Sequence, residues 1–136
     1  MKKISRIIFY WLPPTIWMTL IFFLSSRLRV SVTGEFLFDF IFFKSLHIIE
    51  YSILYFLMFR AFYSINNSRL TINNKLLLPI FFSVFYALSD EIHQTFVPTR
   101  EGKIRDVFID TAGILIMYIY IKHNITTLKK ILKWTV

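Results

Sequence analysis

Histidine and carboxylate side chains occur close together near the ends of two apolar stretches of the sequence. His47 and Glu50 are three residues apart, so they share one face of a helix. Asp90 and His93 have the same spacing in another stretch. A histidine beside a carboxylate can take up and release a proton near neutral pH. We therefore predict that these four side chains are the catalytic residues if the protein is an enzyme.

The same four side chains offer nitrogen and oxygen ligands of the kind that zinc or manganese accepts. The sequence lacks the H-E-x-x-H signature of zinc proteases, and it contains no cysteine. A divalent metal is therefore the less favoured alternative, and the cofactor is left open. With three glycines in the chain, a glycine-rich phosphate loop and a serine nucleophile elbow are both excluded.

A further set of polar residues is predicted to bind a ligand together with this group: Tyr51, Glu91, Gln94, Arg100, Arg105, Asp106 and Asp110. Asp106, Asp110 and Gly113 follow at steps of four and three residues, so they form a stripe along one helix. Two carboxylates at this spacing repel each other unless a proton, a cation or an arginine lies between them. The glycine lets a neighbouring helix approach closely. The arginines suit a phosphate or carboxylate group.

The elements that must position these residues are apolar windows, each close to the roughly 20 residues that cross a bilayer: 7–25, 45–65, 76–97 and 104–121. They predict an all-α fold, a membrane four-helix bundle formed by a single domain over residues 1–136. Residues 27–43 contain FLFDFIFF, which is too short to span, and we predict a separate interfacial or re-entrant segment there. For residues 124–136, a basic amphipathic helix on the membrane surface and a frayed basic tail are both open.

The composition supports a membrane location. Hydrophobic residues make up 56% of the 136-residue chain, more than a soluble domain of this size can bury. The net charge of +8 would suggest nucleic acid in a soluble protein. Here the basic residues flank apolar windows, so we expect contact with membrane lipid and no nucleic acid. The oligomeric state is left open.

The charges also predict an orientation. With four spans, both termini share one side with the asparagine-rich loop at residues 66–75, and most of the 16 basic residues lie on that side. The positive-inside rule then places both termini in the cytoplasm. All eight acidic residues fall in the opposite, extracytoplasmic half. Acidic residues contribute little to orientation, so their segregation indicates a site.

These motifs, taken in order, resemble the VanZ-like family of membrane proteins. The matching pieces run over most of the chain: Trp17 with Ser25-Ser26; His47, Glu50 and Tyr51; Asp90-Glu91-Ile92-His93-Gln94; Phe96, Pro98 and Arg100; and Asp106, Asp110 and Gly113. The family usually has asparagine at the position of Asp110. The resemblance implies a bacterial cell-envelope protein associated with tolerance of teicoplanin-type glycopeptide antibiotics, and it does not supply a reaction.

Several functions remain open at this point. The polar layer could be an interhelical clamp that fixes helix register. It could be a pocket that binds a lipid-linked or cell-wall ligand, which is the preferred interpretation. It could also be the active site of a membrane-embedded enzyme acting on a phosphate- or lipid-containing substrate. A transporter ranks last, because charges confined to one half of the membrane do not mark a path across it.

Overall fold

A computed structural model describes residues 3–27, 34–65 and 69–133 of the chain. These residues form five helices: α1 (Lys3–Ser25), α2 (Phe36–Tyr63), α3 (Ile72–Gln94), α4 (Ile104–His123) and α5 (Ile125–Lys133). No strand occurs in these three ranges. The predicted all-α fold is therefore confirmed.

Large apolar side chains cover much of the outer surface, and several acidic side chains are buried. Phe23 on α1, Phe36 on α2 and Phe85 on α3 are 61%, 75% and 63% exposed. In contrast, Asp90 is 3% exposed and Asp110 is fully buried. Apolar side chains outside and carboxylates inside suit a protein whose surroundings are lipid.

Three of the helices, α1, α2 and α3, are long and apolar enough to cross a membrane. The sequence predicted four spans. The fourth, α4, has 20 residues, but Arg105, Asp106, Asp110 and Lys122 make it less apolar than the other three. Length and composition together therefore support a multi-pass membrane protein with three candidate spans among the described residues.

The segment between α1 and α2 differs from the prediction. Residues 36–43, which contain FLFDFIFF, are the first two turns of α2 and not a separate interfacial or re-entrant piece. The physical reason is that no proline or glycine interrupts the chain between Phe36 and Tyr63. Asp39 in the first turn also favours a helix start there. Residues 28–33, the remainder of the predicted segment, lie outside the described residues.

The core is built around α2, which contacts α1, α3 and α4 and packs most extensively on α4. A Cβ atom at Gly113 of α4 would collide with the backbone of Ile48 on α2. Ser52 donates a hydrogen bond to the Gly113 carbonyl oxygen at 2.8 Å. The two backbones therefore approach at a distance that only glycine permits.

Hydrogen bonds to backbone carbonyls join the other helices. Trp17 Nε1 of α1 donates to the Glu50 carbonyl oxygen of α2 at 2.9 Å. Tyr86 of α3 donates to the Met18 carbonyl oxygen of α1 at 2.6 Å. In a low-dielectric interior such bonds hold the helices in one register, which fixes the positions of the polar side chains described next.

Candidate functional site

A cavity of about 580 Å³ lies at the end of the bundle where α1 and α3 finish and α4 begins. Its lining comes from α1, α2, α3, α4 and the turn between the last two. The predicted site residues that line it are His47, Glu50, Asp90, Gln94, Arg100, Arg105 and Asp106. Three separate helices therefore bring polar side chains to one level.

Asp90 is the centre of a buried hydrogen-bond network. Its Oδ1 accepts from the Ser25 hydroxyl at 2.6 Å, and its Oδ2 accepts from Gln94 Nε2 at 2.9 Å. The Tyr51 hydroxyl donates to the same Oδ2 over a longer 3.5 Å. Because the donors come from α1, α2 and α3, this carboxylate holds three helices together at the base of the cavity.

His47 and Asp110 form a pair between α2 and α4. His47 Nδ1 lies 3.1 Å from Asp110 Oδ1, and the Asp110 side chain is fully buried. Asp110 Oδ2 has no hydrogen-bond partner in the described part of the chain. A carboxylate that holds one ring nitrogen fixes the orientation of the imidazole. His47 lines the cavity and Asp110 does not, so the carboxylate orients the imidazole without itself lining the cavity.

His93 faces α1 and does not line the cavity. Its Nε2 lies 2.9 Å from Ser26 Oγ, and its ring stacks on Phe22 with centroids 4.4 Å apart. The Ser26 hydroxyl already donates to the Phe22 carbonyl oxygen at 2.6 Å. A hydroxyl and an imidazole nitrogen at this distance share one hydrogen bond, whichever of them donates. This histidine therefore joins α3 to α1.

Glu91 also lies away from the cavity and holds the start of α4. Its Oε2 accepts a hydrogen bond from the Lys103 backbone N–H at 2.9 Å, at the N-cap position of α4. A carboxylate there satisfies one of the free N–H groups that begin a helix. Gly102 packs so closely on the Glu91 backbone that a Cβ would overlap it.

The rim of the cavity is basic. Lys44 Nζ lies 2.6 Å from Asp106 Oδ2, and Arg105 Nε lies 3.4 Å from Asp106 Oδ1. The Arg105 guanidinium stands 5.0 Å from the centroid of the Phe40 ring, where a cation–π contact is favourable. At this point of the rim, one carboxylate therefore faces two cations.

Arg100 occupies the opposite wall. Its Nε donates to the Arg27 carbonyl oxygen at 2.9 Å, and its Nη2 donates to the Leu24 carbonyl oxygen at 3.3 Å. These carbonyls end α1, where helices leave acceptors unsatisfied. Thr99, just before it, has φ 67°, a left-handed conformation that is strained for a β-branched residue. The turn thus holds Arg100 in place at some cost in backbone strain energy.

The four predicted catalytic residues do not form one cluster. His47, Glu50 and Asp90 line the cavity, whereas His93 is bonded to Ser26 outside it. In the described ranges, no three histidine, aspartate or glutamate side chains converge in a way that could hold a metal ion. The metal alternative drawn from these four residues therefore has no geometric support.

The sequence analysis missed Lys44 as a site residue, although it lines the cavity and pairs with Asp106. The signal was present, because Lys44 lies three residues before His47 and shares its helix face. The aromatic wall of Phe36, Phe40 and Phe43 was also missed. The sequence predicts a separate segment for these residues, and that prediction does not place them beside the polar layer.

Apolar helices that enclose a polar cavity define the class: an all-helical, multi-pass membrane protein. A family model described as VanZ/LLP1 matches residues 3–126. The chain therefore belongs to the VanZ/LLP1 family, and the resemblance found in its motifs is confirmed. No curated protein and no solved structure matches the chain.

Proposed function

We propose that α4 is a fourth membrane span and that both termini lie in the cytoplasm, so the cavity opens near the extracytoplasmic surface. The 20 residues of α4 reach about 30 Å, the thickness of the hydrocarbon core. Phe108 and Ile116 point outward at 71% and 57% exposure, whereas Asp106 and Asp110 are buried. A helix with apolar residues outside and carboxylates inside is compatible with lipid.

In this orientation the cavity binds the anionic group of a lipid-linked or cell-wall ligand. The observation that carries this proposal is the combination of Phe36 and Phe40 with Lys44 and Arg105 around one cavity. Arginine and lysine bind phosphate or carboxylate oxygens, while aromatic rings accept an apolar chain. An amphiphile presents both kinds of group in one molecule.

The cellular role that we propose is a contribution to tolerance of teicoplanin-type glycopeptide antibiotics. Membership of the VanZ/LLP1 family supports this role. The proposed orientation places the cavity at the outer face of the cell membrane, next to the cell wall. Binding a cell-wall or lipid-linked ligand at that face provides a physical connection between the site and the phenotype.

Replacing Arg105 with glutamine tests this proposal. The Arg105 side chain is 59% exposed and its bond to Asp106 is long at 3.4 Å, so the fold should tolerate the change. We expect a bacterial host that expresses R105Q to fall to the teicoplanin susceptibility of cells with empty vector. Minimum inhibitory concentrations, with membrane protein levels checked by immunoblot, measure this.

The matched control is Lys122→Gln, which removes the same charge from the opposite end of α4. Lys122 is exposed and does not line the cavity. It should therefore keep wild-type tolerance at an equal protein level. If R105Q is present in the membrane and remains as protective as K122Q, the ligand-binding proposal is wrong.

The His47–Asp110 pair favours a second candidate, a membrane-embedded enzyme. Asp110 orients the ring of a histidine that faces the cavity, as a positioned general base requires. Asp110→Asn keeps an oxygen to accept the bond from Nδ1–H but removes the carboxylate charge. An enzyme that uses this base should lose about 10²-fold or more in turnover.

A binding protein responds differently to Asp110→Asn. Asparagine keeps the bond to His47 Nδ1 and places its NH₂ group where Oδ2 is buried without a described partner, so the loss of stability should stay within about 1–3 kcal/mol. Teicoplanin tolerance should then persist at the wild-type level. Loss of tolerance in D110N, with the protein folded and inserted, would support the enzyme over the binder.

A further inference from the structure

A second cavity, of about 270 Å³, lies at the opposite end of the bundle. Arg6 of α1, Lys75 of α3 and Lys129 of α5 all line it, together with the residues that end α2. None of the eight acidic residues, every one of which lies in the described ranges, lines this cavity. Among the described residues that line it, three cations therefore share a concave site with no acidic side chain.

The individual contacts indicate an occupant. Lys75 Nζ donates to the carbonyl oxygens of Tyr63 and Ile65 at 3.3 and 2.8 Å, so its position is fixed at the end of α2. Arg6 Nε is buried and has no hydrogen-bond partner in the described residues. An unsatisfied buried donor of a charged group costs free energy unless something accepts its hydrogen bond.

Like charges lining one cavity repel each other, and an anion between them removes that repulsion. The anion must also accept several hydrogen bonds at once, which a phosphate group does with its exposed oxygens. The volume of about 270 Å³ is below the roughly 300–1,000 Å³ of pockets that enclose whole drug-sized ligands. It suits a headgroup rather than a large molecule.

We infer that this basic cavity, lined by Arg6, Lys75 and Lys129, binds a phosphate group, and that α5 closes over it by contributing Lys129. The two available sources are the headgroup of an anionic phospholipid and free phosphate. The site is separate from the cavity that Asp90 and His47 line. The inference therefore does not depend on the ligand proposed for that cavity.

The sharpest test compares Lys129→Gln with Lys130→Gln in the full-length protein. The two residues are neighbours on α5 and each change removes one positive charge, but only Lys129 lines the cavity. Phosphatidylglycerol is titrated into the purified protein in neutral detergent, and bound lipid is counted by native mass spectrometry. We expect K129Q to bind about fivefold more weakly than K130Q.

Arg6→Gln should weaken binding by a similar factor, and R6Q combined with K129Q by about 25-fold. Lys75 is left unchanged because it also holds the end of α2. Equal affinities for K129Q and K130Q, with both proteins equally stable to heat, would overturn the inference.

A second titration adds inorganic phosphate as a competitor. Displacement of the lipid identifies free phosphate as a ligand of the site, and retention identifies the phospholipid headgroup; both support a phosphate site.

Discussion

Gly113→Leu is expected to leave little folded protein. A single Cβ at this position already overlaps the backbone of Ile48, and leucine adds three more carbon atoms. The Ser52 bond to the Gly113 carbonyl oxygen holds the two backbones at that distance, so α4 cannot move away without losing it. Overpacking of this kind costs about 3 kcal/mol or more where backbone must shift. Unfolding midpoints in detergent, or the monodisperse fraction in size-exclusion chromatography, measure the loss.

The control for this prediction is Ala112→Leu, on the same helix and one residue earlier. Ala112 is exposed on the outer surface of α4, where a leucine side chain has room. It should leave the midpoint within about 0.5 kcal/mol of the wild type. Gly113→Ala is informative as well, because alanine normally stabilises a helix relative to glycine by about 1 kcal/mol. A stabilising G113A would show that α2 and α4 do not pack as described.

Asp90→Ala is expected to have the second largest effect on stability. The change leaves the buried Gln94 amide without its acceptor and removes the longer bond from Tyr51. It leaves the Ser25 hydroxyl only its 3.1 Å bond to the Phe22 carbonyl oxygen. Each buried polar group left unsatisfied costs about 1–3 kcal/mol. We therefore expect a loss of about 3 kcal/mol, seen as a lower midpoint in thermal or sodium dodecyl sulfate titration of the purified protein.

Asp90→Asn separates geometry from charge. Asparagine keeps one acceptor for Ser25, and the Gln94 amide can rotate to accept from the new NH₂ group. Asp90→Asn should therefore lose much less stability than Asp90→Ala. Ser89→Ala, at an exposed position next to it, should be neutral. If D90A and S89A have equal midpoints, Asp90 does not join the three helices.

These two stability tests also address the clamp interpretation. Asp90 and His93 form hydrogen bonds with side chains of a neighbouring helix, as the clamp interpretation predicts. Arg105 is largely exposed, and its contacts are one long bond to Asp106 and a cation–π contact with Phe40, so it contributes less to packing than Asp90 does. A protein whose polar layer were only a clamp would lose tolerance with D90A but not with R105Q. The pair of variants therefore distinguishes positioning from binding.

The sequence was sufficient to predict that His47, Asp90 and Asp106 share one level. Distance from the helix ends fixes depth, because each residue rises about 1.5 Å along an α-helix. It was not sufficient to predict their partners. Whether His47 bonds Glu50 on its own helix or Asp110 on α4 depends on the rotation of α4 about its axis. That rotation follows from the close packing of Gly113 on Ile48, which no periodicity reveals.

The prediction of where α2 begins was wrong for a related reason. Hydropathy shows where a chain is apolar, and because Lys44 interrupts the apolar run, it predicts a span that begins at residue 45. In the structure, Lys44 lies inside a continuous helix because Asp106 of α4 compensates its charge at 2.6 Å. A charge that is paired by another helix does not end a span, and only the tertiary structure shows the pairing.

The 28 residues of α2 reach about 42 Å, roughly 12 Å more than the hydrocarbon core of a bilayer. A helix longer than the hydrocarbon core must tilt or extend beyond it, whereas the shorter α4 beside it need not. Phe36 and Phe40, in the first turns of α2, form one wall of the cavity. We therefore expect the tilt of α2, and with it the acyl-chain length of the bilayer, to alter the position of this wall.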